Sequence, residues 1–180
     1  LRERGIVADA VRTLIVSHLH ADHVAGLRDF PDARFVISRD ALALQQRVRG
    51  VDAVRRGIVP ELFPADFSTR AHVVPTFDHA ELPHLGGTHD LFGDGSIRLV
   101  PLPGHARGQM GALVRTGAGD VLLCADGAWM SQAYRELRAP HGITALLQDD
   151  FRALRVTLDR LRRFALDRPD VIILPTHCPE

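Results

Sequence analysis

The sequence predicts a layered α/β domain. Short β-branched apolar runs suit buried strands, a long amphipathic stretch near the end suits a helix, and turn residues separate the two kinds of segment. The 180 residues fit one domain over positions 1–180. The chain begins with Leu1 rather than Met, and residues 1–5 read like the end of a helix already under way. A fragment of a longer chain is therefore expected.

The elements follow in order. Thr13–Ser17 (TLIVS) is a β-branched strand that runs straight into His18-Leu-His-Ala-Asp-His23. A helical turn is expected through Leu27, broken by Pro31, and Arg34–Ile37 makes a second strand. Ser38 can cap a helix over Arg39–Val48 that closes near Gly50. Residues 51–93 carry Pro60, Pro64, Pro75, Pro83 and the Gly86-Gly87 pair, which oppose long regular elements. The expectation there is an inserted lid of short helical pieces, with Leu62, Phe63, Phe67 and Phe77 packing it down or lining a pocket.

Ile97–Leu102, Met110–Arg115 and Val121–Ala125 read as three strands beside the glycine-rich turns at 93–95 and 117–120. Asp149 or Asp150 can cap a helix whose Phe151, Leu154, Leu158, Leu161, Phe164 and Ala165 recur at helical spacing. Arg168-Pro169 ends it, and Val171–Leu174 is a last buried strand that delivers Pro175-Thr-His177.

Composition excludes several classes. Formal net charge is zero and no basic cluster stands out, which argues against a nucleic-acid partner or an anionic membrane surface. No apolar run is long enough to span a bilayer. Two cysteines, Cys124 and Cys178, make no disulfide framework, so a reducing, cytoplasmic setting is expected. The partner expected is a small-molecule substrate, with a homodimer open.

Ten histidines are the unusual count. His18 and His20 stand two apart at the end of a strand, so an extended backbone throws both imidazoles to one side, where they can chelate one ion. Asp22 and His23 follow where the chain bends and can face a neighbouring position. The bland alternative is a His-rich surface loop, which does not account for this order of residues directly after a strand.

His18–His23 (HLHADH) resembles the HxHxDH signature of the metallo-β-lactamase superfamily. Pro103-Gly-His105, Cys124-Ala-Asp126 and Pro175-Thr-His177 resemble its later motifs, in the same order. The resemblance implies an αββα sandwich lacking its first strands, with two metal ions: zinc, or else iron or manganese. It implies that His18, His20 and His105 hold the first ion, that Asp22, His23 and His177 hold the second, and that Asp126 contributes to both.

It also implies a hydrolase in which a bridging hydroxide attacks a lactone or ester carbonyl, with Asp22 relaying a proton. His20 stands where diiron oxidoreductases of the superfamily usually carry Glu, which favours zinc hydrolysis. An iron-dependent oxidoreductase or dioxygenase, and a non-catalytic metal-binding relative, are the alternatives. Gly93–Gln109 and Leu122–Trp129 resemble the N-acyl-homoserine lactonases. Those commonly carry a substrate-holding Tyr three residues after the bridging Asp, where this chain has Trp129; Tyr134 is the nearest phenol. The remaining histidines, His72, His79, His84, His89 and His141, are read as surface or supporting residues, and Cys124 as a small buried one.

Overall fold

The structure is a computed structural model and describes residues 2–179. The chain forms two compact units, one of residues up to Pro75 and one from Thr76 onward.

The first unit is built on a three-stranded parallel sheet of β1 (Thr13–Ile15), β2 (Arg34–Ser38) and β3 (Ala71–Val74), in that order. After β1 comes α1 (Ala21–Val24), and after β2 come α2 (Arg39–Arg47), α3 (Gly50–Arg55) and α4 (Phe67–Arg70). Ser38 caps α2 as the sequence predicts, its Oγ accepting from the Ala41 N–H at 3.2 Å. Phe35 stacks on Phe67 at 5.1 Å and Phe67 meets Phe63 edge-on at 5.0 Å, in a core shared with Val24, Ile37 and Leu44. Each such fully buried side chain contributes about 2 kcal/mol. At the start of the unit, Arg2–Arg4 is a single 3-10 turn, while Leu1 of the expected helix end lies outside the described residues.

The second unit is a six-stranded sheet of β4 (His79–Leu82), β5 (Gly86–Asp90), β6 (Ile97–Pro101), β7 (Met110–Thr116), β8 (Gly119–Ala125) and β9 (Ile172–Pro175), in sequence order. All its pairings are antiparallel except β8 with β9, which is parallel and reached through α5 (Ser131–Arg135) and α6 (Phe151–Asp167). The Asp150 carboxylate caps α6 at the Ala153 N–H, 2.8 Å away. Leu158, Leu161 and Phe164 of α6 pack with Val100, Leu113 and Leu122 of the sheet, as the helical spacing predicts.

Residues 51–93 depart from the expected lid. Short helical pieces are present, but the stretch also supplies β3 to one sheet and the β4–β5 pair to the other. Phe63 and Phe67 are core residues rather than pocket walls, at 5% and 1% exposure. No helix of the described residues is long and apolar enough to cross a membrane.

Candidate metal centre

In the first unit, β1 carries the chain into the cluster of histidines. Pairing with β2 continues one residue past the strand, where the Val16 N–H donates to the Val36 carbonyl at 2.9 Å. The chain then leaves the sheet, and His20 takes the extended position that precedes α1, φ −63° and ψ 150°. Two backbone bonds hold that turn: the Ala21 N–H to the Gly57 carbonyl and the His23 N–H to the His20 carbonyl, each at 3.0 Å.

The result gathers the imidazoles. The His18 ring lies 4.6 Å from that of His20 and 4.0 Å from that of His23, centre to centre. Asp22 Oδ2 is 3.6 Å from His23 Nε2. His18 is fully buried, whereas the Asp22 side chain is 59% exposed. Ser17 Oγ lies 3.2 Å from His18 Nδ1; a tautomer with Nδ1–H donating to that hydroxyl leaves Nε2 a lone pair. Gly57 was not singled out by sequence. Its φ of +64° and its position, where a Cβ would lie 3.2 Å from the His20 ring, let the main chain close against that ring.

In the second unit, three segments converge on Asp126. Its carboxylate follows β8 through Ala125, a non-glycine residue in the left-handed region at φ 46°. Asp126 Oδ2 is 3.2 Å from His105 Nε2 and 3.3 Å from His177 Nε2. His105 and Asp126 are both 3% exposed. His177 reaches them because β9 runs parallel to β8, with Leu123 opposite Leu174 and Ala125 opposite Pro175. The loop carrying His105 is held by the start of α6: the Asp150 N–H donates to the Gly104 carbonyl at 2.8 Å and Thr157 Oγ1 to the Pro103 carbonyl at 2.6 Å.

Trp129 stands edge-on to both histidines, its ring 5.8 Å from that of His105 and 6.5 Å from that of His177. With Asp126 it lines a cavity of about 470 Å³ whose other walls include Met130, Leu137, Pro140 and Leu158. Tyr134 is a correction to the sequence reading. It is 3% exposed and part of the apolar core, so its ring is packing rather than a surface offered to substrate.

Cys124 is buried as expected, and burial pushes its thiol up to about 12. Cys178 packs on Ser131, 3.2 Å from its Oγ. Of the other histidines, His79 stacks on His89 and His84 pairs with Asp167 at 2.6 Å.

Both clusters offer imidazole nitrogen and carboxylate oxygen, a donor set that suits zinc and its first-row neighbours. Packing imidazoles around a buried carboxylate is costly unless a charge of the opposite sign, or protons, balances that carboxylate. The donor chemistry therefore fits a cation.

The chain belongs to the metallo-beta-lactamase superfamily, whose profile matches residues 1–177. It is 27% identical over 177 residues to the N-acyl homoserine lactonase AttM of Rhizobium radiobacter, covering 94% of this chain and 59% of that protein. Its fold is shared with AidC, a dizinc quorum-quenching lactonase solved with a product (TM-score 0.72, 16% identity, 99% of this chain and 61% of that one). It is also shared with an N-acyl homoserine lactone hydrolase solved with N-hexanoyl-L-homoserine at its catalytic metal centre (TM-score 0.70, 19% identity, 99% and 60%). The chain thus spans about three-fifths of the length of the relatives it matches.

Proposed function

We propose that this chain is the metal-binding part of a hydrolase that opens lactone or carboxylic ester bonds. In this reading the residues that would hold two divalent ions, zinc by preference, are His18, His20, Asp22 and His23 of the first unit and His105, Asp126 and His177 of the second. The observation that carries it is the approach of His105 Nε2 and His177 Nε2 to one oxygen of Asp126, within 3.3 Å, at the wall of an apolar cavity. The lactonase relatives support the choice of bond.

The chemistry such metal would supply, when bound, is a water with its pKa lowered toward about 7 and a polarised carbonyl oxygen. The residues of the chain do the rest. Asp126 and the histidines fix the donor positions. Asp22, an exposed carboxylate beside His23, would take up the proton given up by the attacking water and hand it to the leaving alkoxide oxygen as the ester C–O bond breaks. Trp129, at the wall of the cavity, can offer one indole N–H to a substrate carbonyl, and the apolar walls would exclude water from the non-reacting part of the substrate.

Metal quantification of the intact protein, followed by a panel of lactones and aryl esters, tests this. About two zinc ions per chain with turnover of a lactone or ester is the expected result. Bound iron, with colour and oxygen consumption, would favour the oxidoreductase reading. Metal that raises the melting temperature without any turnover would mark a non-catalytic relative.

A further inference from the structure

We infer that Gln148 is a positioning residue that fixes the ring tautomer of His105, an inference that rests on the proposal that His105 is a metal ligand. Gln148 Oε1 lies 2.8 Å from His105 Nδ1, and Gln148 Nε2 donates to the Thr144 carbonyl at 2.8 Å. The Thr144 carbonyl decides which way the amide faces. A carbonyl oxygen only accepts, so the amide nitrogen must point at it; the flipped amide would set two carbonyl oxygens against each other.

With the amide so oriented, its oxygen faces the imidazole. That oxygen only accepts as well, so Nδ1 carries a hydrogen, which leaves Nε2 as the nitrogen whose lone pair a cation would take. Nε2 is the atom 3.2 Å from Asp126 Oδ2, the one aimed into the metal centre. The His105 side chain is 4% exposed, so bulk water competes little for Nδ1.

The main chain keeps this pairing in register. The Asp149 N–H donates to the His105 carbonyl at 3.0 Å, and the Asp150 N–H to the Gly104 carbonyl at 2.8 Å. Gln148 thus sits on a segment strapped to the His105 loop whatever its own side chain does. A ring oriented by an acceptor on its far nitrogen is a stronger and better aimed metal ligand, and loss of such an acceptor typically weakens metal binding about 10-fold to 100-fold.

The test uses the intact protein with Gln148→Met, which keeps the length and removes the acceptor, and Gln148→Glu, which keeps an acceptor. Zinc affinity is measured by competition with a chromophoric chelator. The His105 tautomer is read from ring ¹⁵N shifts in metal-free protein. The expected result is a Gln148→Met protein with zinc binding about 10-fold to 100-fold weaker and a mixed His105 tautomer, and a Gln148→Glu protein, which loses the donor to the Thr144 carbonyl but keeps the acceptor, closer to wild type than to Gln148→Met in both.

A Met variant with unchanged affinity and an unchanged Nδ1–H tautomer would overturn the inference. So would a Glu variant that falls as far as the Met variant while its metal-free melting temperature stays at wild type. If wild-type protein takes up no zinc, the metal reading fails by itself, and the tautomer measurement still decides the role of Gln148.

Discussion

Asp150 is tied to Gly104 by a backbone hydrogen bond of 2.8 Å, and the same residue caps α6 with its carboxylate. One residue therefore starts the longest helix and pins the loop that presents His105. The geometry demands glycine at the receiving end. Gly104 has φ +127°, and a Cβ there would overlap the backbone nitrogen and Cα of Leu154. Gly104→Ala is expected to cost more than about 3 kcal/mol, because the obstacle is main chain and cannot move aside. Urea denaturation of the variant checks this; a midpoint near wild type would show that the α6 start yields.

Gly57 predicts a milder effect with a different signature. Alanine there meets both a positive φ and the His20 ring at 3.2 Å. Gly57→Ala should destabilise the protein by about 1–2 kcal/mol and also weaken metal binding, because the flexible partner in the contact is a proposed ligand. Melting temperature and chelator competition, measured together, check it. Loss of stability with intact metal affinity would mean that the ring is not displaced.

Trp129 separates stacking from hydrogen bonding. Trp129→Phe keeps an aromatic edge toward His105 and His177 but removes the indole donor. A fall in kcat of about 10-fold to 100-fold on a lactone substrate, with metal content unchanged, is expected if the N–H stabilises the reacting carbonyl. Trp129→Tyr should recover part of that loss. Equal rates for Phe and Trp would remove the donor role.

The buried thiol of Cys124 makes a pH prediction. Its pKa rises from the ordinary 9.0 to about 12, with burial the main cause. The folded state then holds its proton after the unfolded state has lost it. This contribution to stability is fully present below about pH 9 and declines as pH rises from 9 toward 12, by up to about 1.4 kcal/mol per pH unit. Cys124→Ala should flatten the alkaline limb of the stability curve. In native protein, alkylation at pH 8 should label the half-buried Cys178 and spare Cys124.

Much of this was legible in the sequence where signals are local. The strands after Thr13, Arg34, Ile97, Met110 and Val121, and the helix from Phe151, announced themselves by β-branched runs or helical spacing. The motif histidines and aspartates were legible because each motif lies within a few residues of a strand end. The region after residue 50 was not. Ala71–Val74 earns its place in a parallel sheet only through β2, a distant partner, and Gly86–Asp90 shows no apolar alternation. Gln148 was equally silent. A single amide carries no motif, and its partner His105 lies far off in the chain. Tyr134 misled for the opposite reason: its chemistry suited the task, but its helix turns it into the core.

The parallel pairing of β8 with β9 has a consequence for how the protein comes into being. Parallel neighbours need a crossover, and this one contains α5 and α6. Asp126 and His177 therefore stay strangers until that whole excursion has folded back and docked. Contact between that carboxylate and that imidazole is thus a late event of assembly, made only once both intervening helices have docked.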